Sequence, residues 1–484
     1  MKLSGILRDI EILSATADMD TEIGGVSYDS RRTEKGDLFV AVKGFSSDGH
    51  RFIPTAMEKG AAAVLCEDIP ADGTPYVQIR DCRLGLALAS RNLFGEPAKE
   101  MTLIGITGTS GKTSSSYLIK HMLETRLGAK VGLIGTNGHM IGEEFLHSEF
   151  TTPESYELQK LFRRMADAGC THVVMEVSSH SLALERVAGV HFDVALYTNL
   201  SQDHLDFHHT MEEYAAAKKK IFSMCSAACV NADDAWADYM CADADCPILR
   251  YGIDNDEADL CAGNVELSAG GVRFEADFAG EKAQTSLAIP GLFSVHNALG
   301  VMAAGLVLGL SLEDCAAALR DAKGVKGRLE SVPTDDDYSI IIDYSHKPDA
   351  LENVLKTLRP VTRGRLIVLF GCGGDRDRLK RPIMGAIAAD NADLCIVTSD
   401  NPRTEEPEAI IDEIIEGFRD KTTPVLRICD RGEAIRTAID KARAGDVILL
   451  AGKGHEDYQI VGREKRHMDE REIVADYLEK RKHR

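Results

Sequence analysis

The chain has 484 residues, of which 27% are charged and 44% hydrophobic, an ordinary balance for a soluble globular protein. Its 56 Lys and Arg residues against 77 Asp and Glu residues give a net charge of −21, which disfavours broad binding to nucleic acid or to anionic membranes. No apolar run approaches the length of a membrane span, and the first residues lack the apolar core of a signal peptide. We therefore expect a cytoplasmic enzyme of about three domains, with no nucleic acid partner and no membrane insertion.

The twelve cysteines are scattered along the chain. Cys225 and Cys229 form one close pair, but no second pair follows at the spacing of a zinc site. We expect buried, reduced thiols.

Residues 1–98 have the pattern of a small α/β domain. Apolar runs at residues 37–42 and 61–66 predict two buried strands, with a helix between them. Two polar loops, residues 27–32 and 43–49, are of the kind that carries binding groups, although they also fit ordinary surface loops. The turn-rich residues 94–97 mark the expected end of the domain.

Residues 107–113 read Thr-Gly-Thr-Ser-Gly-Lys-Thr. A predicted strand at residues 101–106 precedes them and a predicted helix follows at residues 114–123. This order surrounds an anion with backbone N–H groups and a helix N-terminus, so the loop is predicted to bind nucleotide phosphates. Lys112 would reach the outer phosphates and the Thr113 hydroxyl would ligate Mg²⁺. The alternative is a tight turn with a surface lysine.

Two further strands, at residues 171–177 and 194–198, end in polar residues. In open parallel sheets such ends carry the chemistry, which makes metal or proton-transfer candidates of Glu176, Asp203, His204 and His208. Glu176 suits Mg²⁺ because it is a carboxylate that ends an apolar strand near a phosphate loop. For His208 alone, a structural role is the better interpretation.

A predicted helix at residues 211–222 carries three adjacent lysines, Lys218, Lys219 and Lys220. Such a triplet ordinarily marks a solvated helix face. The residue pattern gives no reason to prefer one lysine over the others.

The last domain has three predicted strands, each of which runs into a charged loop rich in glycine. The loops are residues 371–378, 400–403 and 452–456, and acidic residues 335–337 are interpreted as the linker before the domain. Alternation of strands and helices indicates a doubly wound sheet. Loops at one edge of such a sheet should converge on a ligand with charges of both signs, and a nonspecific charged rim is the alternative.

Taken together, these motifs resemble the Mur ligase family, the ATP-dependent amide-forming enzymes of peptidoglycan precursor synthesis. The resemblance covers nearly the whole chain. The matching segments are residues 107–113, 175–180, 198–206, 214–222, 343–348 and the three C-terminal loops. It implies an α/β protein of three domains: a small α/β UDP-MurNAc-binding domain (1–98), a central phosphate-loop ATPase domain with a mostly parallel sheet (99–330), and a Rossmann-like amino-acid-binding domain (331–484).

Residues 29–31, 36–41 and 400–403 are most similar to the family members that add meso-diaminopimelate to UDP-MurNAc-L-Ala-D-Glu. The resemblance implies ATP as co-substrate, Mg²⁺ as cofactor and a monomeric protein. It implies catalytic roles for Lys112, Lys218 and His204. The lysine at position 218 is carbamylated in the family, which makes it a metal ligand together with Thr113, Glu176 and His204.

The remaining site residues are implied by position. Nucleotide contacts fall on Gly108, Thr109, Ser110, Gly111, Lys112, Thr113, Asn297, Arg328 and Asp343. The UDP-MurNAc-dipeptide contacts fall on Tyr28, Ser30, Phe45, Ser46, Ser47, Thr151, Thr152, Ser178 and Arg186. The diaminopimelate contacts fall on Arg376, Asp400, Asn401, Pro402, Arg403, Gly452 and Glu456.

The amino-acid preference rests on Arg403. Its planar guanidinium can bind a carboxylate with two hydrogen bonds, and diaminopimelate carries a second carboxylate where lysine carries only an ammonium group. Lysine would leave Arg403 unpaired beside a like charge. We expect Glu456 to bind the distal ammonium of diaminopimelate.

Three alternatives stay open at this point. The first is the same ligase adding L-lysine. The second is the related folylpolyglutamate synthetase, which the N-terminal 98 residues and the Arg403 loop disfavour. The third is a phosphate-loop regulatory protein without ligase chemistry.

Overall fold

The computed structural model describes residues 1–44, 47–71, 73–148, 150–322 and 324–482. The chain divides into two units, the first formed by Met1–Cys261 with Leu299–Cys315 and the second by Ala262–Ala298 with Ala316–Arg484. Within the described ranges, no helix is both long and apolar enough to cross a membrane.

The first unit begins with a five-stranded sheet in the order β1-β5-β4-β3-β2, parallel except for β1. Apolar residues cover both faces, as the runs at residues 37–42 and 61–66 predict. The strands are β1 (Ser14–Ala15), β2 (Val26–Ser27), β3 (Leu38–Val40), β4 (Ala63–Cys66) and β5 (Tyr76–Gln78). The helices are α1 (Leu3–Ile6), α2 (Ile53–Glu58) and α3 (Cys82–Leu93).

A larger sheet follows in the first unit, with the strand order β13-β12-β11-β6-β10-β7-β8-β9. All neighbours from β13 to β7 are parallel, whereas β7, β8 and β9 are antiparallel. The strands are β6 (Thr102–Thr107), β7 (Val131–Gly135), β8 (Gly138–Ile141), β9 (Glu144–Leu146), β10 (His172–Glu176), β11 (Phe192–Tyr197), β12 (Cys225–Asn231) and β13 (Ile248–Ile253). The helices are α4 (Lys112–Leu127), α5 (Ser155–Asp167), α6 (Ser179–Ala183), α7 (Leu205–His208), α8 (Met211–Lys219) and α9 (Ala237–Cys241).

In this sheet β6 lies between β10 and β11. The phosphate loop that follows β6 is therefore flanked by the polar residues that follow the other two strands. This is the arrangement that the sequence predicts for the carboxyl ends of parallel strands.

The chain continues through β14 (Leu260–Ser268), β15 (Gly271–Phe278), β16 (Glu281–Leu287), α10 (Leu292–Val307) and α11 (Leu312–Asp321). The second unit then forms a six-stranded sheet in the order β17-β18-β22-β19-β20-β21, parallel except for β17. The strands are β17 (Glu330–Val332), β18 (Ser339–Asp343), β19 (Leu366–Phe370), β20 (Leu394–Val397), β21 (Val425–Arg427) and β22 (Val447–Ala451). A separate hairpin consists of β23 (Tyr458–Val461) and β24 (Glu464–His467). The helices are α12 (Pro348–Leu358), α13 (Lys380–Asn391), α14 (Pro407–Ile415), α15 (Arg431–Lys441) and α16 (Glu470–Lys482).

Two local predictions differ from the structure. The acidic residues 335–337 lie between the paired strands β17 and β18, so they belong to a turn of the third sheet and are not a linker. The helix predicted to reach residue 222 ends at Lys219 and continues as a 3₁₀ turn, Lys220–Met224.

The expectation of buried thiols holds for eight of the twelve cysteines, and no disulfide forms among the described residues. The Cys225 sulfur lies 3.5 Å from the sulfur of Cys246, a neighbour that residue spacing alone does not indicate.

A fully buried ion pair joins the starts of α15 and α16. Arg431 and Glu470 have side-chain exposures of 1% and 0% and lie 2.8 Å apart. Arg431 also donates to the carbonyl oxygen of Ala451, at the end of β22, over 2.9 Å. The pair therefore connects the N-termini of α15 and α16 to the end of β22.

Replacing Arg431 by Met should lower the free energy of unfolding by about 3 kcal/mol, because Glu470 would keep a buried charge without its partner. Arg436 lies on the same helix with a 46% exposed side chain. Arg436→Met is therefore the matched control and should cost less than about 0.5 kcal/mol. Urea unfolding followed by circular dichroism measures both, and equal losses would contradict the role of the buried pair.

Candidate active site

The phosphate loop is held against the loop that follows β11. Gly108 has φ +146°, and a Cβ atom there would lie 1.9 Å from the Thr198 hydroxyl oxygen. Gly111, with φ +87°, precedes α4 and offers no side-chain cap to its first turn. The loop therefore needs glycine for its close backbone approach, and it leads directly into the N-terminus of α4, where an anion is favoured.

The amine of Lys112 lies over this loop. It donates to the carbonyl oxygens of Gly108 at 2.8 Å and Thr109 at 2.9 Å. The positive charge is thus placed beside the predicted phosphate cradle, as the sequence predicts.

Glu176 is completely buried at the end of β10. Its carboxylate accepts hydrogen bonds from the Thr113 hydroxyl at 3.1 Å and from the Thr136 hydroxyl at 3.0 Å. A Cβ atom on Gly135 would lie 2.3 Å from its other oxygen, so glycine makes room for the carboxylate. The hydroxyl and carboxylate oxygens that the sequence predicts as Mg²⁺ ligands are therefore adjacent, and hard oxygen ligands suit that ion.

Lys218 is only 1% exposed, so the interpretation of the lysine triplet as a solvated face is wrong for this residue. Its amine donates to the carbonyl oxygen of Gly108 at 2.8 Å and lies 4.6 Å from the centroid of the Tyr214 ring. Burial, together with the nearby charge of Lys112, holds the pKa of Lys218 well below its ordinary value. Lys219 and Lys220 instead pair with Asp243 and Glu185.

His204 has a left-handed backbone, with φ +53°, and a side chain that is 46% exposed. Its ring centroid lies 4.8 Å from that of His180 and 6.3 Å from that of Tyr214. Within the described parts of the chain, no hydrogen bond joins it to Glu176 or Lys218. His204 and Lys218 are thus both neighbours of the Tyr214 ring.

His208 is buried and shares a 2.9 Å hydrogen bond with the Ser179 hydroxyl. Burial and the neighbouring His180 lower its pKa to about 4. These contacts fit the structural role that the sequence favours for this residue.

One cluster of metal-type side chains in the described residues lies elsewhere, at Asp48, His50 and Asp68. His50 shares a 2.7 Å hydrogen bond with the Asp48 carboxylate through Nδ1. Its Nε2 accepts the backbone N–H groups of Glu67 at 3.0 Å and of Asp68 at 3.2 Å. Both ring nitrogens are therefore satisfied without an ion.

A cleft of about 580 Å³ lies beside the first sheet in the first unit. It brings together Tyr28, Ser30 and Ser47, three residues that the sequence assigns to the UDP end of a substrate. Phe45 and Ser46 lie outside the described residues. Arg83, on α3, also lines the cleft, and sequence reasoning missed it because one arginine on a helix carries no distinguishing pattern.

The residues assigned to the dipeptide cluster at the end of β10. The Thr152 hydroxyl donates to the Glu176 carbonyl oxygen at 2.8 Å and accepts the Ser178 N–H at 3.2 Å. Arg186 donates to the Thr152 carbonyl oxygen at 3.1 Å. The Thr151 hydroxyl lies 3.0 Å from that of Thr136, which also binds Glu176.

In the second unit, Asp343 is buried and accepts the N–H of Leu329 at 2.8 Å. Burial raises its pKa. Arg328 lies over the Tyr344 ring, 5.5 Å from its centroid, so Arg328 and Asp343 belong to one cluster. Asn297 is buried on α10, and among the residues that the structure describes no hydrogen bond joins it to that cluster.

The three charged loops of the second unit do converge, as the sequence predicts. Arg403 donates to the Gly374 carbonyl oxygen at 2.8 Å. Asn401 donates to the Glu456 carboxylate at 3.0 Å, and a Cβ atom on Gly452 would lie 3.1 Å from the Asp400 carboxylate. Arg376 and Pro402 lie in the same loops. The convergence favours a ligand site over a nonspecific charged rim.

The hairpin of β23 and β24 holds one of these loops, a feature that sequence reasoning missed. Arg403 has φ +51° and donates its N–H to Ile460 at 3.1 Å, while Gly462 donates to the Arg403 carbonyl oxygen at 2.7 Å. Gln459 donates to the Asp400 carbonyl oxygen at 2.6 Å. These contacts fix the backbone from which the Arg403 side chain projects.

A buried arginine supports the same loops from α13. Arg381 is 0% exposed and binds both oxygens of Glu405, each at 2.9 Å, and one oxygen of Glu413 at 2.8 Å. Glu405 in turn accepts the N–H of Asp375 at 2.5 Å. The paired guanidinium of Arg381 lowers the pKa of Glu405 to about 2.

Replacing Glu405 by Gln should destabilise the protein by about 2 kcal/mol at pH 7, because the buried Arg381 loses one of its two carboxylate partners. The folded-state pKa of Glu405 lies below its ordinary 4.5, so its contribution is complete above that pH and is lost as the pH falls toward about 2. In unfolding experiments from pH 7 to pH 2, the free energy of unfolding of the wild type should approach that of Glu405→Gln as the pH falls.

Glu408→Gln is the matched control, since Glu408 lies on the neighbouring α14 with a 55% exposed side chain. It should change stability by less than about 0.5 kcal/mol at any pH. A stability difference between wild type and Glu405→Gln that is constant from pH 7 to pH 2 would contradict the assignment.

Comparison with known protein families identifies three consecutive matches. Residues 22–89 match the Mur ligase family catalytic domain, residues 106–305 the Mur ligase middle domain, and residues 327–454 the Mur ligase glutamate ligase domain.

Full-length relatives are also found. The chain is 44% identical to UDP-N-acetylmuramoyl-L-alanyl-D-glutamate--2,6-diaminopimelate ligase 1 of Clostridium acetobutylicum over 482 residues, covering 99% of each chain. It is 46% identical to the ligase of the same name, without the numeral, from Caldanaerobacter subterraneus subsp. tengcongensis, covering 98% of each chain. A solved structure of a ligase with that name is 33% identical, with a TM-score of 0.78 and 100% coverage of both chains.

Proposed function

Because the chain belongs to the Mur ligase family, we propose that it joins meso-diaminopimelate to UDP-MurNAc-L-Ala-D-Glu and converts ATP to ADP and phosphate. The observation that carries this proposal is the convergence of Asn401, Arg403 and Glu456 at one sheet edge, in a chain whose full-length relatives bear the name of that reaction. The domains at residues 1–98, 99–330 and 331–484 bind the UDP-sugar peptide, ATP and the amino acid.

The first substrate is held in the first unit. Tyr28, Ser30 and Ser47 line the cleft for the UDP end, where Arg83 supplies positive charge for a diphosphate. The cluster of Thr151, Thr152, Ser178 and Arg186 binds the muramoyl dipeptide beside the phosphate loop.

The γ-carboxylate of D-glutamate is a poor electrophile, so ATP must first convert it to an acyl phosphate. The phosphate loop, residues 108–113, and the N-terminus of α4 cradle the phosphates, and Lys112 neutralises charge on the phosphoryl group during its transfer. Asn297, Arg328 and Asp343 contact the rest of the nucleotide. The incoming amine then attacks the acyl phosphate, and phosphate leaves from the tetrahedral intermediate.

The donor set fits Mg²⁺, because the Thr113 hydroxyl and the Glu176 carboxylate already lie 3.1 Å apart. When bound, the ion would supply Lewis-acid neutralisation of the transferred phosphoryl group. His204 and the carbamate of Lys218 would complete the set. Carbamylation of Lys218 by CO₂ needs a neutral amine, and the direction in which burial shifts the pKa of this lysine favours that form.

Arg403 selects the amino acid. Its guanidinium pairs with the second carboxylate of diaminopimelate, while Asp400 and Glu456 offer acceptors for ammonium groups. Arg376, Asn401, Pro402 and Gly452 shape the rest of the pocket. We also propose that the protein acts as a monomer in the cytoplasm.

The decisive experiment measures ADP and phosphate release with the UDP-MurNAc dipeptide and a panel of amino acids, with mass analysis of the product. Release that requires both substrates and favours meso-diaminopimelate supports the proposal. A product that contains lysine, or ADP release that depends on folate, would replace it with one of the alternative ligases. Nucleotide binding without release would indicate a regulatory protein.

Replacing Arg403 by Ala should raise the KM for diaminopimelate about 100-fold, because the second carboxylate loses a charge-assisted double hydrogen bond. The KM for ATP should stay within about twofold of the wild-type value. Arg463, in the exposed turn of the nearby hairpin, provides the control variant Arg463→Ala. Unchanged diaminopimelate kinetics in Arg403→Ala would refute the assignment.

Replacing Lys218 by Ala should reduce kcat at least about 100-fold, and short carboxylates such as acetate or propionate should restore part of the activity by standing in for the carbamate. Lys219, which pairs with Asp243, gives the control Lys219→Ala, which should keep most of its activity. Full activity of Lys218→Ala without added carboxylate would refute the carbamate role.

A further inference from the structure

Lys453 carries a buried charge at the edge of the candidate amino-acid site. Its side chain is 0% exposed. The amine donates to the Glu456 carboxylate and to the Asn401 side-chain oxygen, both at 2.9 Å, and lies 5.2 Å from the centroid of the Tyr458 ring. Lys453 therefore contacts two of the residues assigned to diaminopimelate while having no access to the ligand itself.

These contacts involve one carboxylate oxygen of Glu456, Oε2, and do not involve the other, Oε1. Oε2 accepts both the Lys453 amine at 2.9 Å and the Asn401 amide at 3.0 Å. For Oε1 there is no hydrogen bond within the described residues, and the Glu456 side chain is 13% exposed. One oxygen is thus anchored and the other is free to receive a donor from the site.

The Asn401 amide is oriented by the same lysine. Its oxygen accepts two donors, the Lys453 amine and the Ile460 N–H, each at 2.9 Å. The amide NH₂ must then face Glu456, where it donates. Lys453, Asn401 and Glu456 form a closed triangle in which each member fixes the other two.

A merely structural role explains this arrangement poorly. A buried ammonium group loses its hydration, and an apolar side chain of similar volume would often stabilise a fold equally well. The charge has a use if it holds a carboxylate in one orientation for a cationic group of the ligand.

We propose that Lys453 is a positioning residue that aims Glu456 Oε1 at the distal ammonium of diaminopimelate. This inference rests on the proposed function. Lys453 acts through Glu456 and sets the preference for an amino acid with a second amine, while Arg403 reads the second carboxylate.

The test compares meso-diaminopimelate with 2-aminopimelate, which keeps both carboxylates and the reacting amine but lacks the second amine. In Lys453→Met, kcat/KM for diaminopimelate should fall about tenfold or more, mainly through KM, because the aimed charge pair is lost. In the same variant, kcat/KM for 2-aminopimelate should change by no more than about twofold. The KM values for ATP and for the UDP-MurNAc dipeptide should also stay within about twofold of the wild-type values. Equal losses for both amino acids would overturn the proposal.

A double-mutant cycle adds a second readout. If Lys453 acts through Glu456, adding Lys453→Met to Glu456→Gln should cause no further loss of discrimination between the two amino acids. If the double variant instead loses discrimination by the product of the two single losses, the proposal is overturned. Lys465, exposed on β24 with its amine over the same Tyr458 ring, gives the control Lys465→Met, which should behave as the wild type.

Lys453→Gln, which keeps a shorter donor, serves if Lys453→Met does not fold, and should show the same selective loss. If neither variant folds, Lys453 serves the fold alone and the proposal is overturned. A wild-type protein that releases no ADP with diaminopimelate would instead refute the proposed function.

Discussion

The register of three parallel strands is the constraint on which the candidate site depends. Glu176 on β10 pairs with Ile106 on β6, and Tyr197 on β11 pairs with Thr107. All three strands therefore end at the same level, so the phosphate loop, the Glu176 carboxylate and the loop with His204 begin side by side. A slip of one residue would turn Glu176 to the opposite face of the sheet and away from Thr113.

In the second unit, buried cations hold the loops of the candidate amino-acid site in position. Arg381, Arg431 and Lys453 are each fully buried and each binds a glutamate. Arg381 supports the loop after β19, Arg431 binds the carbonyl oxygen of Ala451 at the end of β22, and Lys453 orients Asn401 and Glu456. In a protein with a net charge of −21, these positive charges are concentrated behind the loops that would receive a zwitterionic substrate.

The sequence predicted the parts of this architecture that depend on local pattern. Apolar runs predicted the strands, and the rule that carboxyl ends of parallel strands gather predicted the convergence of Arg403 and Glu456. The choice of Lys218 could not come from pattern, because three adjacent lysines each point in a different direction on a helix and only packing decides which one is buried. Arg381 and its partner Glu405 are 24 residues apart, and no periodicity links two residues so far apart in sequence.

Gly108 has a consequence for the chemistry of inhibition. Any side chain there would collide with Thr198, and the carbonyl oxygen of this residue receives the amines of both Lys112 and Lys218. A compound that drew its affinity from the backbone of this loop would contact atoms that no single substitution can remove. Escape by mutation would then have to occur at the periphery of the compound, where contacts with side chains contribute less.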